Sequence, residues 1–146
     1  MNYKKIMVSS CLLGINCKYN GGNNQSDRLL RLLSGHTVIP VCPEVLGGLP
    51  TPRVPAEIVN GVVTNRNGES VDEAFRKGAE EALKIAEREQ PDLIILQSRS
   101  PSCGVKQIYD GTFSGKLIPG QGVFAELARK AGFRVMDVED VQEGDL

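Results

Sequence analysis

Cys11, Cys42 and Cys103 each stand just beyond an apolar run: Ile6-Met7-Val8, Val38-Ile39-Pro40-Val41 and Leu93-Ile94-Ile95-Leu96. Such runs read as buried parallel strands. In an open parallel sheet, ligands bind beyond the carboxyl ends of the strands. Three thiols far apart in sequence are therefore expected to meet at one edge of one sheet. Three thiolates can hold a metal or a cluster and leave it one ligand short, and an unfilled position is where substrate chemistry takes place. Cys17 lies inside the loop after the first run and has no counterpart at a strand end. It reads as a structural or accessory thiol, with the place of a fourth ligand left open.

Other chemistry-bearing residues cluster near these cysteines. Glu44 follows Cys42 by two positions, close enough to reach the same site and move a proton there. Ser98, Ser100 and Ser102 precede Cys103 and offer hydroxyls to a sulfur, a water or a substrate oxygen. Arg53, between Pro52 and Val54, could clamp an anionic or carbonyl group, or pair with a nearby acid. Gly21-Gly22 lacks the surrounding pattern of a phosphate-binding loop. The serines do not form a Gly-x-Ser-x-Gly elbow. The single histidine, His36, reads as a surface-loop residue, so a Ser-His-Asp mechanism is disfavoured.

Strands and helices alternate around these segments. Residues 4–10, 37–41, 93–96 and 133–138 read as strands. Helical spacing of Leu29, Leu30, Leu32 and Leu33 follows a cap at Ser26 or Asp27. The apolar stripe Ala74, Phe75, Gly78, Ala79, Ala82, Leu83 and Ala86 predicts a helix over residues 71–89. A last helix is expected over 122–131. The proline-rich stretch 42–55 is expected to be stiff and irregular. Residues 56–64 and 69–71 read as a hairpin around Asn65-Arg66-Asn67-Gly68. Residues 108–118 read as a short extended excursion, and the acidic tail as frayed. The expected fold is α/β: one domain spanning 1–146, with a Rossmann-like, mostly parallel sheet, helices on both faces and a hairpin and loop insertion.

Composition narrows the function. The chain has 146 residues, with 17 Lys and Arg against 18 Asp and Glu and a formal net charge of −1. This balance supplies no strong field for a polyanion, so a nucleic-acid partner is disfavoured. Tryptophan is absent and aromatics are only 5%, which argues against a base-stacking platform for single strands. The first residues, Met1-Asn2-Tyr3-Lys4-Lys5, precede too short an apolar stretch for a secretory signal, and no run reads as a spanning helix. A cytoplasmic location is expected, where the four cysteines are reduced, metal-bound or catalytic rather than disulfide-bonded. The residues alone admit a catalytic cluster, a structural zinc module or a metal-free thiol or redox protein.

Several motifs occur together and in order: Cys11-Leu12-Leu13-Gly14, Val41-Cys42-Pro43-Glu44-Val45-Leu46-Gly47-Gly48-Leu49, Thr51-Pro52-Arg53-x-Pro55-Ala56-Glu57, Ser98-Arg99-Ser100-Pro101-Ser102-Cys103-Gly104 and Tyr109-Asp110-Gly111-Thr112-Phe113-Ser114-Gly115. Over essentially the whole chain they resemble the thiouracil desulfidase (TudS) family, formerly a domain-of-unknown-function family. The resemblance implies a 4Fe-4S cluster held by three cysteines, which fall at Cys11, Cys42 and Cys103. It implies a catalytic acidic residue at Glu44 and a catalytic serine at Ser100. The implied reaction is non-redox removal of sulfur from a small thiolated pyrimidine, giving uracil and hydrosulfide. Cys17 is not a ligand in that scheme.

Overall fold

The computed structural model describes residues 3–146; Met1 and Asn2, the start of the segment read above as too short for a signal, lie outside them. In chain order the elements are β1 (Lys5–Ser9), α1 (Asp27–Leu33), β2 (Thr37–Val41), α2 (Pro43–Leu46), β3 (Ala56–Val59), β4 (Val62–Asn65), α3 (Asp72–Glu89), β5 (Leu93–Leu96), β6 (Gln107–Tyr109), β7 (Leu117–Pro119), α4 (Val123–Lys130) and β8 (Val135–Asp137). Four of the strands form one parallel sheet in the order β2-β1-β5-β8. The strands β3–β4 and β6–β7 form two separate antiparallel hairpins.

Side chains alternate across a strand, so each central strand feeds two cores. Ile6, Val8, Leu93 and Ile95 pack with Leu29 and Leu33 of α1 and with Val141. On the other face, Met7, Ile94 and Leu96 pack with Phe75, Ala79 and Ala82 of α3 and with Phe124 and Ala128 of α4. Burying each of these aliphatic side chains contributes about 1.5–3 kcal/mol. Ser26 caps α1 by accepting a hydrogen bond from the Leu29 amide at 3.2 Å. The α/β architecture with helices on both faces is as expected from the sequence. Among the described residues, no helix is long and apolar enough to cross a membrane.

The chain order creates a switch point. From β1 it moves outward to β2, then returns to the other side of β1 to build β5 and β8. The crevice beyond the ends of β1 and β5 is where ligands bind in sheets of this kind.

Four local expectations are corrected. Residues 43–46 form the short helix α2, because Pro43 occupies the first helical turn, where its missing N–H costs nothing. The hairpin of β3 and β4 turns at Asn60-Gly61, with φ of 49° and 80°, rather than at residues 65–68. This two-residue turn matches the strand twist. Residues 65–68 form a second turn, closed by a Gly68 amide donating to the Asn65 carbonyl at 2.9 Å and by one bridge between Thr64 and Ser70. The last strand is shorter than residues 133–138. Finally, the acidic tail is docked rather than frayed. Val141 is fully buried beneath α1, and the Arg28 guanidinium donates to its carbonyl. Lys106–Asp140 and Arg134–Asp145, each at 2.9 Å, fasten the flanking residues.

One helix contact bears directly on the site. α2 and α3 touch backbone to backbone through Gly47 and Gly78; a Cβ on Gly78 would collide with the Pro43 carbonyl, and one on Gly47 with the Ala74 carbonyl. Backbone carbonyls cannot swing aside as a side chain can. Gly78→Ala is therefore expected to lower stability by about 1–3 kcal/mol, the range for overpacking. Urea denaturation checks this; an unchanged midpoint would mean that α2 moves away from α3 at no cost.

Candidate active site

The loops beyond β1, β2 and β5 line one open cavity of about 770 Å³. Cys11, Cys42 and Cys103 all line it, together with Cys17 and Glu44. The three elements responsible are those that the apolar runs predicted. Cys11 sits in a single 3-10 turn, Ser10–Leu13, directly after β1. Cys42 is the residue between β2 and α2. Cys103 follows β5 through the serine-rich loop and is almost fully buried.

The thiols sit in different electrostatic settings. Cys17 is placed to donate its S–H hydrogen to Cys11 or Cys42, which lowers both of their pKa values. For Cys42 this donation outweighs burial and brings the thiol down to about 7. Cys17 in turn keeps its proton, because ionisation would forfeit those bonds. The Asn24 side-chain amide donates to the Cys11 sulfur at 3.7 Å. Burial pushes Cys103 up to about 12, against the pull of two hydroxyls, Ser9 at 3.5 Å and Ser102 at 3.6 Å. Ser9 also accepts from the Gln97 amide at 2.9 Å. Its hydroxyl thus ties the end of β1 to the end of β5 and to Cys103 at the switch point.

Glu44 is held by partners from two directions. One carboxylate oxygen accepts from the Ser102 hydroxyl at 2.7 Å. The other faces Arg53, whose Nη2 is 3.1 Å away and whose Nε donates at 3.2 Å. Both side chains are largely buried, Arg53 at 7% and Glu44 at 16% exposure. Arg53 also donates to the carbonyls of Cys17 and Pro50 and to the Thr51 hydroxyl. Its donors are thus committed to the protein, and its position fixes Glu44 against the loop carrying Cys17. A buried pair of this kind is costly to break from one side, about 3–5 kcal/mol.

The serines divide their work. Ser102, not Ser100, touches Glu44. The Ser100 hydroxyl lies 3.3 Å from that of Ser102 and accepts from the Cys103 amide at 2.7 Å. Ser98 lines the cavity beside them. All eight residues singled out from the sequence (Cys11, Cys42, Cys103, Glu44, Arg53, Ser98, Ser100 and Ser102) border this one cavity. Sequence reasoning passed over Ser9, Asn24, Glu57 and Phe113, which also line it. Ser9 had a signal, since it ends a strand whose next loop carries a candidate thiol. Glu57 and Phe113 had none beyond their membership in matching motifs. Among the described residues, no three His, Cys, Asp or Glu side chains converge on a point suited to one metal ion.

A parallel α/β sheet whose switch-point crevice gathers strand-end thiols beside a held carboxylate defines the class: an α/β protein with a cysteine-lined small-molecule cavity. A family model described as 2-thiouracil desulfurase matches residues 6–140, and the chain belongs to that family. The uncharacterized protein YbbK of Bacillus subtilis (strain 168) is 41% identical over 148 residues, covering 94% of this chain and 98% of its own. Among solved structures, a 4Fe-4S-dependent thiouracil desulfidase, TudS, superposes with a TM-score of 0.88 at 38% identity, over 94% of this chain and 93% of that one.

Proposed function

We propose that this chain is a 4Fe-4S-dependent desulfidase that converts a thiolated pyrimidine and water into the oxo-pyrimidine and hydrosulfide. The whole described chain acts as the unit. The observation that carries the reading is the convergence of Cys11, Cys42, Cys103 and the Ser102-bonded Glu44 carboxylate on one cavity. Family membership and the likeness to a solved desulfidase support it.

The donor set fits an iron–sulfur cluster. Its members are soft thiols, two of them with lowered pKa and the third accepting from the Ser9 hydroxyl. Hydrogen bonds to sulfur are a main lever on such clusters. Cys11, Cys42 and Cys103 would hold the cluster, and the iron without a cysteine would serve as a Lewis acid for a soft thione sulfur.

The chain's own residues supply the proton traffic. Arg53 pairs with one Glu44 oxygen at 3.1 Å and holds the carboxylate at the cavity wall. There Glu44 accepts a proton from a water attacking the ring carbon. Ser102 and Ser100 form a short hydroxyl chain leading from Glu44 to the Cys103 amide. That chain orients the carboxylate, and the proton that Glu44 takes up from water is the one it returns to the departing sulfur. No electron enters or leaves, so no redox partner is needed.

Anaerobic reconstitution with iron and sulfide tests the reading. Reconstituted protein is expected to carry iron and acid-labile sulfide in near-equal amounts. It should convert 2-thiouracil or 4-thiouracil to uracil, read as loss of thione absorption and gain of the uracil band. Protein that holds the cluster and leaves both thiones unchanged overturns the activity. Protein that binds zinc without sulfide overturns the cofactor.

A further inference from the structure

We propose that Phe113 is the aromatic face on which the pyrimidine ring stacks, and that Glu57 is the residue that positions it. This rests on the desulfidase reading above and extends it to substrate recognition.

The cavity has two unlike sides. The thiols and Glu44 come from loops of the parallel sheet. Across from them, part of the wall comes from the two hairpins outside that sheet, including Glu57, Tyr109 and Phe113, with Arg66 just past β4; the proline-rich 49–55 segment completes it. Phe113 sits in the loop joining β6 and β7 with φ of 56°, left-handed backbone that a bulky aromatic seldom adopts. Such conformations persist only where the surroundings impose them, and they concentrate at ligand-binding positions.

Here the imposing group is visible. Glu57, on β3, is buried, and one of its oxygens accepts from the Gly111 amide at 2.9 Å and the Phe113 amide at 3.2 Å. A buried carboxylate on one hairpin is thus committed to the backbone of another, more than fifty residues away. Arg66 adds its guanidinium over the Phe113 ring, 5.8 Å from the centroid. A hairpin loop needs none of this merely to turn. Glu57 and Arg66 together brace the backbone and the ring of one residue, and that residue contributes to the cavity wall. A planar thione-bearing ring is the ligand that an aromatic face serves best, because every base has a π-face.

Base–aromatic stacking of the usual strength corresponds to roughly 5- to 150-fold in affinity. In reconstituted enzyme, Phe113→Leu is expected to raise the KM for 2-thiouracil by a factor in that range with kcat within a few-fold of wild type. Phe113→Tyr should keep the wild-type KM. Phe113→Asn suits left-handed backbone. It should hold or raise the melting temperature and show the same KM defect, a split that a purely structural role would not produce. Glu57→Ala should raise KM, and Glu57→Gln, which still offers an acceptor oxygen, should restore it. A second readout avoids turnover: uracil added to reconstituted wild-type enzyme should lose ultraviolet absorbance, and this hypochromism should vanish in Phe113→Leu. A wild-type KM in Phe113→Leu, or no hypochromism with wild-type enzyme, overturns this proposal and leaves desulfuration standing. Failure of wild-type enzyme to convert any thiolated pyrimidine overturns both.

Discussion

Cys103→Ala is expected to leave a folded protein that reconstitutes with little iron or sulfide and has no measurable desulfidase activity. Cys103 is the most buried of the three strand-end thiols; the Ser9 hydroxyl donates to its sulfur, and the Ser102 oxygen lies 3.6 Å from it. Removing a sulfur from a three-thiol set leaves two anchors. The freed volume is small, so the fold should survive: loss of one buried sulfur costs about 1 kcal/mol or a little more. Circular dichroism establishes the fold, and iron and sulfide assays read the loss. An unchanged iron and sulfide content in this variant would strike Cys103 from the ligand set. Cys17→Ala gives the matching control, since Cys17 is placed to donate its S–H hydrogen to Cys11 or Cys42 and is not a ligand in the scheme that the family resemblance implies. It should retain the cluster.

Glu44→Gln is expected to separate cofactor from chemistry. The amide fills the same space and still offers an oxygen to Arg53 or Ser102, so reconstituted iron and sulfide should match wild type. It has no proton affinity comparable with a carboxylate. Turnover of 2-thiouracil should therefore fall by about 10²–10⁴-fold, the usual weight of general acid–base assistance. Steady-state kinetics on fully loaded protein checks this. The variant should also melt earlier, because Arg53 is almost fully buried and loses its counter-charge. A loaded Glu44→Gln enzyme turning over at the wild-type rate would remove Glu44 from the reaction and reduce it to an anchor for Arg53.

Part of this was legible in the sequence for physical reasons. The runs at β1 and β5 are continuously aliphatic because both faces of those strands are covered, and α3 announces itself through an alanine-rich stripe. Cysteines just past such runs point to the sheet's ligand-binding edge. The failures are equally physical. Asn60-Gly61 and Asn67-Gly68 carry the same turn chemistry, and only the pairing of Ile58 with Val63 decides which one closes the hairpin. Pro43 looks like a helix breaker unless it falls in the first turn, as it does. The acidic tail is held by Val141 entering a core assembled from residues of β1, α1 and β5, far earlier in the chain. The Glu44–Ser102 bond spans 58 positions, and no local pattern announces it. The roles of Glu44 and Ser100 came from the family resemblance, and their contact through Ser102 from the fold.

The crevice joins two pieces of architecture that share no hydrogen-bonded ladder: the four-stranded sheet that carries the sulfurs, and the paired hairpins that carry Glu57 and Phe113. The hairpin residues lie outside the ladders that set the register of β2-β1-β5. Selectivity among related heterocycles can therefore drift by small steps in residues 56–66 and 109–115 while the reactive half stays fixed, which makes this scaffold a ready starting point for evolving desulfurases toward other thiones.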